Sequence, residues 1–154
     1  MPKRSSEMPV LLKILYYLSR FGLAALFLFA VGAKLYTVKD PVNGLLANLP
    51  SLVGLKWVWP VFIAVIAVEL LAAILLIIPR AQRLGAAWAS LLLLGFAGYA
   101  LYYVYVLKGE ALECGCFGGI IASQLGVTTA ARNLLLLIPA LFVLTQRQRD
   151  AVTQ

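Results

Sequence analysis

Histidine is absent from this chain, cysteine occurs twice, and only six residues are acidic. The missing histidine removes the usual general base of a Ser-His-Asp arrangement and the commonest haem and metal ligand, which excludes self-contained haem binding and histidine-dependent hydrolysis. Two thiols cannot fill a tetrahedral zinc site, so no metal is expected without a partner or a second copy to complete one. Charge is scarce too, at 12% of residues, against 63% hydrophobic and a mean hydropathy of +0.96. A soluble domain carries about twice that charged fraction. The chain therefore lacks the polar surface needed to face water and reads as an integral membrane protein.

What it has instead is length in apolar residues. Four runs, 11–33, 58–78, 84–107 and 128–146, each come close to or exceed the roughly 20 residues a helix needs to cross about 30 Å of hydrocarbon. Lipid offers no partner for a bare backbone group, and a helix satisfies its own. The expected fold is all-α: a four-helix transmembrane bundle forming one membrane domain over residues 1–154. Between the first two spans, Asp40-Pro41, Asn43-Gly44 and Leu49-Pro50-Ser51 are turn signals around Leu45, Leu46 and Leu49. A short interfacial helix and an irregular loop fit that segment equally well. Trp57 and Trp59, with Tyr102, Tyr103 and Tyr105 at the matching end of the third span, read as an interfacial aromatic belt.

The net charge of +7 does not point to nucleic acid, because the basic residues flank the apolar spans instead of clustering on a soluble face. Their distribution sets orientation. Lys3, Arg4, Lys13, Arg80, Arg83, Arg147 and Arg149 fall on one side, and Lys34, Lys39, Lys56 and Lys108 on the other. The richer side is expected in the cytoplasm, with both termini there and the protein in a bacterial inner membrane. The cysteine segment, 108–127, is then extracytoplasmic, where thiols are oxidised. A signal peptide cleaved after Val31-Gly32-Ala33 is the alternative for the first span; its long basic leader and Arg20 argue against it.

Charges inside the spans stand out, since each costs at least about 2.5 kcal/mol at bilayer depth and normally faces the protein interior. Arg20 and Glu69 lie at similar depth counted from the ends of the first two spans, which predicts that they pair. Such a pair reads first as an ion pair fixing helix register, and second as a proton relay built on Glu69. Lys34 follows Arg20 by fourteen residues, within about 40° of the same helix face. Lys34 and Arg132, near the opposite ends of their spans, are candidates to stabilise a thiolate in the cysteine segment. For Lys34, snorkelling to lipid headgroups is an equal alternative. In the third span Ala86, Ser90, Ala97 and Ala100 share a face that lets another helix approach closely, with Gly95 and Gly98 as further small surface. Pro139 is expected to free the carbonyl of Leu135.

The two cysteines, Cys114 and Cys116, stand in Glu113-Cys114-Gly115-Cys116-Phe117-Gly118. Residues two apart can be bridged only across a tight turn, which Gly115 permits, and the bridge would be readily reduced. Redox-active thiols are the leading reading, with inert structural cysteines behind it.

Taken in order, Arg20 and Gly22, Gly32-Ala33-Lys34, Asp40-Pro41, Glu69, the Cys-Gly-Cys-Phe-Gly segment and Arg132-Asn133-Leu134 resemble the methylamine utilisation protein MauE family, within the wider DoxX-like membrane group. The resemblance runs from about Arg20 to Leu144 and is most specific at the cysteine and Arg-Asn-Leu pieces. It implies a four-helix membrane protein associated with thiol–disulfide chemistry and with maturation of a periplasmic enzyme such as methylamine dehydrogenase. It also implies a thioredoxin-fold or disulfide-containing partner outside the cytoplasm. On that reading Cys114 and Cys116 are catalytic, and Arg20, Lys34, Glu69 and Arg132 support them. A quinone is a natural electron carrier for such a module, although no residue pattern marks a site for one. Two other classes compete: a non-catalytic DoxX-like accessory subunit of a membrane redox complex, and a small proton-coupled transporter using Glu69.

Overall fold

The structure is a computed structural model that describes residues 10–36, 54–106 and 126–146. Its helices are α1 (Val10–Tyr36), α2 (Val58–Ile77), α3 (Gln82–Tyr105) and α4 (Val127–Thr145), and no strand occurs among the described residues. All four are long and apolar enough to cross a membrane. Most of the segment between α1 and α2 lies outside the described residues. Its last part is a 3-10 turn, Leu55–Trp57, entered through Gly54 at φ 80° and closed by Trp57 N–H donating to Gly54 O at 3.0 Å. Only a residue without a Cβ takes that φ at little cost.

α2 ends for a backbone reason. Pro79 has no N–H to offer the carbonyl of Leu75, so the ladder stops. Ile78 N–H donates to Ile74 O and Ala81 N–H to Ile78 O, each at 3.1 Å, turning the chain directly into α3. α1 packs on α2, α2 on α3, α3 most extensively on α4, and α4 back on α1, which closes an antiparallel ring. One end of the ring, the hairpin end, carries the α2–α3 turn. The other, the loop end, carries Tyr36, Gly54, Val106 and Gly126, the described residues that flank the two long connections.

The core is built from small residues. Ala24 and Phe27 of α1, Ala72, Ala73 and Leu76 of α2, Ala86, Ala89 and Leu93 of α3, and Ala140 and Val143 of α4 are buried together. Lipid tails are as apolar as leucine, so close packing of small residues, not escape from water, holds membrane helices together. The tightest approach is at Gly85. A Cβ there would lie 2.6 Å from the backbone nitrogen of Leu76 and 2.7 Å from the carbonyl carbon of Leu75.

The stripe of Ala86, Ser90, Ala97 and Ala100 is buried, with Ser90 Oγ donating back to Ala86 O at 2.8 Å. Gly95 and Gly98 do not extend it: a Cβ on either would meet nothing within 4 Å. At 100° per residue they lie about 180° and 120° round the helix from Ala86, on the outward face. The aromatic belt needs a similar correction. Trp57, Trp59, Tyr102 and Tyr105 are exposed, whereas Tyr103 is buried with Ala97, Ala100 and Ala130 in the α3–α4 seam.

Candidate polar core and cysteine segment

Arg20 and Lys34 share the inward face of α1, and both are buried, at 5% and 2% exposure. Each needs a partner there, because an unpaired charge away from water is costly. The expected Arg20–Glu69 pair is not formed. Lys34 Nζ instead donates to both carboxylate oxygens of Glu69, at 2.8 and 2.9 Å. Arg20 donates from Nε to Leu76 O and from Nη2 to Ile77 O, both at 2.6 Å. Its guanidinium carbon also lies 5.1 Å from the centre of the Phe21 ring.

The direction of side chains along a helix explains the exchange of partners. Side chains lean toward the N-terminus of their own helix. In antiparallel α1 and α2, Lys34 leans toward the hairpin end and Glu69 toward the loop end, so the two converge. Arg20 leans toward the hairpin end as well, away from Glu69, and arrives at the last turn of α2. There it finds carbonyls that the helix itself leaves without donors, at the negative end of the helix dipole. Lys34 is thus turned into the bundle and does not reach out to its surface.

A small cavity of about 20 Å³ lies beside the ion pair, lined by Phe27, Ala30, Glu69, Leu93, Phe96, Arg132 and Asn133 among others. It brings Glu69 of α2 together with Arg132 and Asn133 of α4. Asn133 is 6% exposed, and its Nδ2 is buried with no hydrogen-bond partner. Of the four supporting residues expected from the sequence, the structure therefore joins Lys34 to Glu69, sets Arg132 at the cavity by Glu69, and places Arg20 apart at the hairpin end. Sequence reasoning gave Asn133 no role of its own. The available signal was an amide in the otherwise apolar run that follows Arg132. Trp88 adds a further tie, donating from Nε1 to Val68 O at 3.1 Å and fixing α3 against α2 next to Glu69. Among the described residues no group of His, Cys, Asp and Glu has the makings of a metal site.

Cys114 and Cys116 lie outside the described residues. The helices on either side of their segment are described and adjoin: a Cβ on Gly126 would sit 3.8 Å from Val104 Cγ2, so α3 ends beside the start of α4. Arg132 is six residues into α4 from Gly126, about 9 Å along the helix.

Four membrane-crossing helices closed around a buried ion pair define a multi-pass membrane protein with a polar core. More particularly, the model of the family described as methylamine utilisation protein MauE matches residues 12–146, nearly the whole chain, and the chain belongs to that family. No curated protein and no solved structure matches it.

Proposed function

We propose that the protein is a membrane partner in thiol–disulfide exchange, acting through Cys114 and Cys116 on an extracytoplasmic thioredoxin-fold or disulfide-containing protein. The observation that carries this reading is the Cys-Gly-Cys-Phe-Gly segment, both of whose flanking helices end at one place in the bundle, in a chain of the MauE family. One cysteine thiolate attacks a disulfide of the partner, forming a mixed disulfide and releasing the partner's second sulfur as a thiolate. The other cysteine then attacks the mixed disulfide, expelling the partner as a dithiol and leaving Cys114 and Cys116 bridged. Two electrons pass to the partner, and the reverse sequence returns them. Membership of the MauE family makes methylamine utilisation the first setting to test, with maturation of a periplasmic enzyme as the role proposed there.

Within this reading the bundle supplies the platform, and Arg132, the first cation along α4, is the residue from which a thiolate could gain support. Lys34 is committed to Glu69, and the two-oxygen grip on Glu69 favours a fixed ion pair over a proton-exchanging acid.

Trapping tests the proposal. Cys114→Ser and Cys116→Ser, each expressed in cells, are expected to differ: one leaves its mixed disulfide unresolved and holds a covalent partner, released by reductant. If neither holds a protein and both keep wild-type activity, the relay is wrong and the accessory-subunit reading takes its place. A membrane-impermeant thiol reagent should reach both reduced cysteines from outside the inner membrane. Labelling only after that membrane is opened would remove the proposed partner class.

A further inference from the structure

We infer that the cavity between Glu69 and Asn133 is a hydration site, in which one ordered water joins the Lys34–Glu69 pair to α4. The inference is independent of the cysteines and rests on chemistry and size. Asn133 lines the cavity, is more than nine-tenths buried, and has an Nδ2 with no hydrogen-bond partner. Leaving a buried donor unsatisfied is costly, and a partner in the cavity recovers that cost. Glu69 lines the same cavity and can only accept while ionised, and the donation from Lys34 leaves lone-pair directions on both its oxygens. The occupant must therefore accept from an amide and donate to a carboxylate. Water does both, and an anion or a carbonyl compound only accepts.

Size makes the same selection. The cavity is about 20 Å³, above the roughly 10–15 Å³ that one water needs by the same measure. Its other walls are apolar, Phe27, Leu93 and Phe96 among them, except for Arg132 beside Asn133. The bridge would connect helices that the ion pair alone does not. Lys34 and Glu69 tie α1 to α2, and the water extends the tie to α4 two turns below Gly126.

Infrared difference spectroscopy of the full-length protein in lipid tests this. The wild type minus Asn133→Leu is expected to show an internal-water O–H band that shifts on exchange into heavy-oxygen water. Leucine is close in shape to asparagine and presents no donor to the site. A carboxylate band assigned through Glu69→Gln should shift in the same variant. Absence of an isotope-sensitive difference band would overturn the inference. Should Asn133→Leu fail to assemble, a high-resolution experimental map of the wild type decides: a water peak within hydrogen-bonding distance of Asn133 Nδ2 supports the site, and a cavity dry at that atom refutes it.

Discussion

The two buried cations of α1 are answered in opposite ways. At the loop end Lys34 meets a carboxylate, and both partners are side chains that a sequence spells out. At the hairpin end Arg20 meets the carbonyls of Leu76 and Ile77, partners that no residue letter announces. The chemistry of each cation suits its site. A planar guanidinium offers several donors in a fixed fork and spans two successive carbonyls, whereas an ammonium is a compact charge that sits between two carboxylate oxygens. The lesson is that a helix end is a polar partner in its own right, available wherever a chain turns inside or near a membrane.

The comparison breaks most sharply at the ion pair. Glu69→Gln leaves Lys34 charged and buried with its carboxylate partner gone, and the expected loss is about 3–5 kcal/mol of stability. Unfolding followed in detergent or lipid would measure it. The double variant Lys34→Met/Glu69→Leu removes both charges and should recover most of that loss, since replacing a buried pair by apolar groups is often neutral or stabilising. Single variants no less stable than the wild type would show that the pair is not buried as described. Partner trapping that survives in the double variant would mark the pair as structural.

Arg20 should matter less. Arg20→Met withdraws a charged donor but strands no opposite charge, only the carbonyls of Leu76 and Ile77 near a helix end. A loss of about 1.5–3 kcal/mol is expected, the range for hydrogen bonds to charged groups. Arg20→Lys keeps the charge but not the fork, and should fall between the two. A loss as large as that of Glu69→Gln would mean that Arg20 has a charged partner after all.

How far the sequence went follows the same division. The helices were legible because apolar runs of membrane-crossing length admit little else, and the inward face of α1 was legible because fourteen residues bring Arg20 and Lys34 back to one side. The burial of Ala86, Ser90, Ala97 and Ala100 followed from residue size. Partner choice was not legible. Counting depth treats a side chain as sitting level with its own Cα, and the opposite lean of side chains in antiparallel helices displaced Glu69 from Arg20 to Lys34. Tyr103 and Tyr102 are neighbours of the same type, yet one is core and the other surface. Only the position of α4 decides which, and no local pattern carries that. Asn133 was visible as a letter, but its role depends on a cavity formed by all four helices.

The smallest effects come from glycines, where the two ends of α3 can be set against each other. At the hairpin end a Cβ on Gly85 would strike the backbone at Leu75 and Leu76, which cannot move as a flexible side chain can. Gly85→Ala should therefore cost about 1–3 kcal/mol, the usual penalty for overpacking, and should loosen the seat of Arg20 on the same turn of α2. Toward the loop end Gly98 has nothing within 4 Å of a Cβ, so Gly98→Ala adds no clash. There alanine's better helix propensity is the only term left, a gain of at most about 1 kcal/mol. Thermal unfolding of the two variants side by side measures the difference in sign. Equal effects at both glycines would mean that α2 and α3 do not approach as closely as Gly85 requires, and with that the fixed position of the Leu76 carbonyl beneath Arg20 would be lost.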